Sequence, residues 1–310
     1  TTADNVLGSM ANLLPIDLLF RKVLMRVVLQ LASLPPTHLL HNLVKTVAGR
    51  FVHRHCSSLH NLFHYTGIDP NTMEEVSPTR CSHSYKPAFS TYILELKSEV
   101  LDKIEAVFDR SHTVVFCDGS GYEGGIGASA VLFVDEKEKS NLKYHLGSST
   151  EHTVYEAKIV GICLGLHALQ NLNRQLQGQT ICGSDSQVML KALNNQKPHL
   201  AHYLLDKVHS MAEHIHKKQD RLLNVPQRCT AIDMGTEWSP HTKEVILLQL
   251  HWSPGHKGFI PNKWADQLAK EAASGESSLQ SVLPAFLHQK TLPISIPAWQ
   301  QAELTVTQVI

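Results

Sequence analysis

Charge of one sign is what this chain lacks: its 28 Lys and Arg are balanced by 28 Asp and Glu. No global field draws it onto nucleic acid, so any such contact must come from a local patch. Unbroken apolar runs are missing too. The segment Leu13 to Leu34 is interrupted by Asp17, Arg21, Lys22 and Arg26, which argues against a membrane span. There is no signal peptide, internal repeat or low-complexity run. Cysteine is sparse. Cys56, Cys81, Cys117, Cys163, Cys182 and Cys229 lie far apart, three of them inside apolar runs. That predicts reduced, buried thiols of an intracellular protein, nuclear or cytoplasmic, rather than a disulfide framework. The chain opens on Thr1 rather than Met, as a fragment would.

What is present sorts by position. Leu19, Phe20, Val23, Leu24, Val27, Val28 and Leu31 fall on one helical face, opposite Asp17, Arg21, Lys22, Arg26 and Gln30. Pro35 and Pro36 stop that helix, and a second is expected from Thr37 to Val47. Residues 1–66 therefore read as a helical extension. Residues 67–110 read as a linker, Pro-, Thr- and Ser-rich up to about Lys86, with a short helix from Ser90 to Arg110. "HRHCSSLHNLFH" spaces Cys56, His60 and His64 at i, i+4 and i+8, a zinc-like spacing without an obvious fourth ligand; a helical surface explains it better.

From His112 the pattern changes. Thr113 to Cys117 is a short apolar run, as in a strand buried on both faces. Ile126 to Val134 and Leu142 to Leu146 alternate and predict two further strands. A long helix is expected from Glu151 to Leu172, with Ala157, Gly161, Gly165 and Ala168 along one stripe. Glycine costs roughly 1 kcal/mol against alanine in a helix, so this stripe makes sense if it lies close against a sheet. Ile181 to Gly183 is a fourth strand, followed by helices from Ser186 to Asn194 and His199 to Lys218. Asn224 to Lys243 is a loop, Glu244 to Trp252 the fifth strand and Asn262 to Ala273 the last helix. The fold class is α/β, a mixed five-stranded sheet flanked by helices over 111–275, with an irregular tail over 276–310.

Four acids stand at element ends, and each has an ordinary explanation. Asp118-Gly119 is a turn pair. Glu156 closes the capping box Thr153-x-x-Glu156. Asp185 is placed as a helix N-cap, and Asp266 pairs with Lys270 one turn on. Taken together they gain another meaning. Asp118 and Asp185 end strands that a helix crossover can set side by side, which puts both at the sheet edge where ligands of open α/β sheets gather. Glu156 lies on the joining helix, and Ser148-x-x-Glu151 offers a competing cap that would free it. Converging carboxylates repel unless cations neutralise them. Oxygen-only ligands favour Mg²⁺, and two such ions can drive phosphodiester hydrolysis. On this reading the glycines after Asp118 let a polymer backbone approach the acid.

"FCDGS", "YEAK", "SDSQ" and "WSPGHKGFIPNKWADQLAK", in that order, resemble the ribonuclease H domain, in the flavour found at the C-terminal end of non-LTR retrotransposon polyproteins. The resemblance covers about His112 to Ser274. It implies a ribonuclease H-like fold and metal-dependent endonucleolytic cleavage of the RNA strand of RNA–DNA hybrids. Asp118, Glu156, Asp185 and Asp266 would hold two Mg²⁺ (or Mn²⁺) ions, and His256 would assist proton movement or product departure. Gly119, Ser120 and Gln187 are the candidate hybrid contacts. "PIDLLFRKVLMRVVLQLASLP" resembles, more weakly, the segment joining reverse transcriptase to ribonuclease H, which implies an upstream polymerase partner. Two departures bear on substrate grip: His152 and Thr153 replace asparagines that some members carry, and Lys263 replaces a frequent Glu. Lys207, Lys217 and Lys218 with His209, His214 and His216 are a modest substitute for a basic handle, and a solvated helix face explains them better. The competing readings are a catalytically decayed hybrid-binding or scaffold module, and another nuclease or integrase on the same fold.

Overall fold

The computed structural model describes residues 15–50, 52, 54–77, 85–93, 106, 110–172, 174–176, 178–195, 197, 200–222, 246–253, 260–288 and 291–300. The chain divides into two compact units, 1–78 with 293–310, and 79–292.

The first unit holds α1 (Ile16–Ala32), α2 (His41–Ala48) and α3 (Ser58–Thr66). Gly67 ends α3 in the left-handed region (φ 66°), where a missing Cβ removes the strain. Val28, Leu29, Val44, Phe63, Ile68, Met73 and Ile296 form its core. The tail expected to be irregular contributes directly. Ile294 bridges Met73 in parallel, and the buried Glu74 carboxylate accepts from the Ile296 N–H at 3.1 Å. Of the apolar face expected on α1 only Val28 is fully buried, while Leu19, Phe20, Val23 and Val27 are exposed; the burial is shared instead with Leu29 and Ala32. The zinc-like spacing is resolved as helix start. His60 Nδ1 pairs with Ser57 Oγ at 2.7 Å, and the exposed Cys56 thiol donates to Asn61 Oδ1 at 3.0 Å.

The second unit is built on β1 (Ser90–Tyr92), β2 (Thr113–Tyr122), β3 (Gly125–Val134), β4 (Lys137–Ser148), β5 (Gln179–Ser184) and β6 (Leu247–Trp252). They form one six-stranded sheet in the order β1-β6-β5-β2-β3-β4. β2, β3 and β4 are antiparallel neighbours, while β1, β6, β5 and β2 run parallel. The mixed sheet is as the sequence implied, with one strand added. Ser90–Tyr92 lies in the stretch assigned to a linker and the start of a helix, and instead pairs with Gln249 to His251 at the sheet edge. Three residues are too few to display an alternation. Most of the remaining helix expected there, and the loop over 224–243, lie outside the described residues.

Around the sheet are α4 (Val154–Gln170), α5 (Gln187–Leu193), α6 (His202–Leu222) and α7 (Ile260–Ala273). α4 is buried along almost its whole length, because it is sandwiched between the sheet and α6. A Cβ on Gly161 would stand 2.8 Å from the Asp118 carbonyl oxygen, and one on Gly165 would stand 2.7 Å from Cys117 Sγ. The glycine stripe thus permits the close helix–sheet contact that its sequence cost suggested. The opposite sheet face packs Val114, Phe116, Val131 and Ile181 against Ala265 and Leu268 of α7. Beyond α7 the tail is again ordered: Ser277 and Ser278 bind β4, and Leu283, Leu287 and Leu292 enter the core.

Of the six basic and histidine side chains on α6, Lys207, His214 and Lys217 are exposed, as on a solvated helix face, while His209, His216 and Lys218 turn inward. His216 Nε2 pairs with the Ala88 carbonyl at 2.7 Å and His209 Nε2 with the Leu193 carbonyl at 3.0 Å. The Lys218 ammonium donates to the Gln170 and Leu172 carbonyls at the end of α4. A cation there complements the helix dipole.

Candidate functional site

The last register pair between β2 and β5 is Cys117 with Ser184, so Asp118 and Asp185 are the next residues on two adjacent parallel strands. The topology therefore brings these two acids together as expected, but Asp118 and Gly119 lie inside β2, which runs on to Tyr122 against β3, rather than in a turn at its end. Asp118 is buried, and its Oδ1 accepts from the Gly119 N–H at 2.7 Å. Asp185 is half-buried and does not cap α5. That role falls to Ser186, whose Oγ accepts from the Met189 N–H at 3.3 Å. The Asp185 backbone is held instead by the Trp252 indole N–H, which donates to its carbonyl at 2.9 Å. Freed from capping, the Asp185 carboxylate faces the site.

Between the two acids stands a residue that the sequence reading passed over. The Lys158 ammonium donates to Asp118 Oδ1 at 2.8 Å and also to Asp185 Oδ1. Its side chain is only 17% exposed, so the bridge is shielded from solvent. Burial by itself would lower the Lys158 pKa, but the two carboxylates outweigh it and hold the ammonium above its ordinary range. Burial pushes Asp118 up to about 6, aided by the Asp185 charge and only partly opposed by Lys158.

Glu156 is elsewhere. Its Oε2 accepts from the Thr153 N–H at 2.7 Å and from Thr153 Oγ1 at 3.0 Å, while Thr153 Oγ1 accepts from the Glu156 N–H. This is the capping box, and the competing cap at Ser148 does not start the helix. Its other oxygen lies 3.8 Å from His152 Nδ1, both side chains being buried. Helical geometry explains the separation. At 100° per residue, positions 156 and 158 are 200° apart, so both cannot face the end of β2. Position 158 shares the side of Gly161 that packs on Asp118.

Asp266 comes nearer in backbone than in charge. Ser129, the register partner of Asp118, donates from Oγ to the Ala265 carbonyl at 2.6 Å. The Asp266 carboxylate, however, accepts from Lys270 Nζ at 2.6 Å. Such an exposed i,i+4 pair contributes about 0.3–0.5 kcal/mol and is easily released. His256 lies outside the described residues. Of the three hybrid-contact candidates, Ser120 and Gln187 are half-buried beside the acids. Gly119 has another neighbour: a Cβ there would lie 2.5 Å from the Ala157 carbonyl carbon, so its bare face is filled by α4 rather than left for a ligand.

These residues do not, as arranged, fit a divalent ion. The two converging acids are spanned by an ammonium and Glu156 is committed to its cap, which leaves only Asp266, in its weak pair with Lys270, releasable. Among the described residues, no three His, Cys, Asp or Glu side chains are grouped to hold a metal. What remains is a cation-neutralised acid pair at the carboxyl edge of an open sheet.

A mixed sheet with antiparallel β2 to β4, a glycine-striped helix across it and two acids brought together beside β2 and β5 define an open-sheet α/β domain. The RNase H family matches residues 110–274, just over half of the chain, and the chain belongs to that family. No curated protein matches it. Similar solved structures include the N-terminal RNase H domain of rv2228c from Mycobacterium tuberculosis, at 15% identity over 52% of this chain and 98% of that one (TM-score 0.35). RNase H1 from Halobacterium salinarum NRC-1 is 16% identical over 53% and 98% (TM-score 0.34). LC11-RNase H1, isolated from compost and solved in complex with an RNA/DNA hybrid, is 17% identical over 52% and 96% (TM-score 0.35).

Proposed function

We propose that this domain engages RNA–DNA hybrids at the sheet edge carrying Asp118 and Asp185. Membership of the RNase H family supports the ligand class. Ser120 and Gln187, half-buried and two residues beyond Asp118 and Asp185, are the polar groups we assign to 2′-hydroxyls across a wide minor groove, the feature that separates a hybrid from duplex DNA. The likeness of the motifs to the retrotransposon ribonuclease H supports a retroelement origin, and the likeness of residues 15–35 to the segment that follows a reverse transcriptase supports a polymerase module as partner. Among the described residues no helix is long and apolar enough to cross a membrane.

Two readings of the engagement follow from different observations. Metal-dependent cleavage of the RNA strand is the activity that family membership favours. It needs carboxylates available to Mg²⁺ or Mn²⁺. Binding without cleavage is favoured by one observation, the buried Lys158 ammonium between Asp118 and Asp185, and this is the reading that the geometry supports best. Displacing Lys158 would leave a half-enclosed cation without partners, a cost that a bound divalent ion would have to exceed.

One assay separates them. The purified chain is incubated with end-labelled RNA–DNA hybrid, duplex DNA and duplex RNA, in Mg²⁺ or in chelator, and both retention and strand length are read. The account expects preferential hybrid retention, intact RNA strands and little effect of chelator. Mg²⁺-dependent shortening of the RNA strand, lost in Asp185→Asn, would establish the cleaving reading instead. Equal retention of all three duplexes would remove the hybrid assignment altogether.

A further inference from the structure

The site's charge balance turns on the identity of residue 158. Two carboxylates and one ammonium leave one net negative charge at the sheet edge. The direction of the side chain at 158 is set by the backbone, since α4 is locked on β2 through Gly119 and Gly161. Any residue at 158 must therefore point at the gap between Asp118 and Asp185. The ammonium is a donor-only group and satisfies one oxygen of each acid. A divalent ion between the same oxygens would sit against a like charge.

We propose that Lys158 is the resident cation of this site, taking by covalent attachment the place that a divalent ion would otherwise occupy between Asp118 and Asp185. The inference rests on the reading of this sheet edge as the functional centre and deepens it by assigning how the centre is neutralised. Lys158 is then a positioning residue: it holds the two carboxylates in place and excludes hard divalent cations. An acid at the same position would act in the opposite sense. Lys158→Glu changes the local charge by two units and adds a third oxygen donor to the pair. Three carboxylates with water suit Mg²⁺ or Mn²⁺.

The test is Mn²⁺ titration of the full chain, followed by the loss of the free-ion electron paramagnetic resonance signal. The set comprises the unaltered protein, Asp118→Asn, Lys158→Met, Lys158→Glu and Lys158→Glu with Asp118→Asn. Far-ultraviolet circular dichroism establishes that each is folded. The expected result is no Asp118-dependent Mn²⁺ binding in the unaltered protein. Lys158→Glu should gain one site at least tenfold tighter, abolished by the added Asp118→Asn, and Lys158→Met should fall between. If Lys158→Glu fails to fold, Lys158→Met still decides, because removing the ammonium must raise Mn²⁺ affinity. Tight Mn²⁺ binding by the unaltered protein that Asp118→Asn removes would overturn the proposal. So would a Lys158→Met protein no better than the unaltered one. Hybrid retention is read on the same samples in chelator. Its absence would sink the hybrid assignment while leaving the cation result to stand or fall alone.

Discussion

Lys158 and Asp118 are each costly alone and tolerable together. A carboxyl group as buried as Asp118 resists ionisation, and the neighbouring Asp185 adds to that resistance. The lysine offsets only part of it, so the Asp118 carboxyl titrates near 6 rather than in the ordinary aspartate range near 3.9. The sign follows from proton counting. Between about pH 4 and about pH 6 the folded chain holds a proton at Asp118 that the unfolded chain has released. This group's contribution therefore makes the fold less stable as pH rises through that window. Urea midpoints measured at half-unit intervals should show this downward component, and Asp118→Asn should flatten it. A steeper fall in the variant would contradict the assignment. Lys158→Met should move the Asp118 titration higher still, as read by carboxyl carbon NMR.

Among the elements, α4 decides the geometry of the site. Its capping box fixes the start at Thr153, and its glycines fix the distance to the sheet. Those two constraints settle which side chains meet the acids. Thr153→Ala removes the cap and should cost about 1 kcal/mol of unfolding free energy. Gly161→Ala forces a methyl against the Asp118 and Ser129 carbonyls and should cost about 1–3 kcal/mol. Chemical denaturation checks both, and an unchanged Gly161→Ala midpoint would show that α4 does not lie this close. The strands, the long helices and the meeting of Asp118 with Asp185 were legible in the sequence, because apolar runs and chain order dictate them. The place of Glu156 was legible too, and was outweighed. Gly161 and Gly165 mark the sheet-facing stripe, and counting back along it reaches Lys158 and Ala157, not Glu156. A lysine in an otherwise apolar helix stripe was the available signal. β1 left none, being three residues long, and the pairing of 294–296 with 73–74 is a long-range contact without local pattern.

At the scale of the molecule, the two units divide the chain in a way its composition does not announce. The first takes its core partly from residues 294–296, and the second takes Leu283, Leu287 and Leu292 from the same tail. The six basic and histidine side chains proposed as a handle illustrate the general difficulty. Three of them bind backbone carbonyls within the second unit and Lys207, His214 and Lys217 stay exposed, so the fold halves a patch counted from sequence. Within the RNase H domain, Asp118 and Asp185 share a lysine ammonium. The measurement that bears most directly on this is a crystal of the full chain soaked in Mn²⁺, with anomalous scattering recorded at the Asp118–Asp185 edge. The account predicts the Lys158 ammonium between the two carboxylates and no anomalous peak there. A peak about 2.1–2.2 Å from oxygens of both acids, with the lysine swung aside, would contradict it.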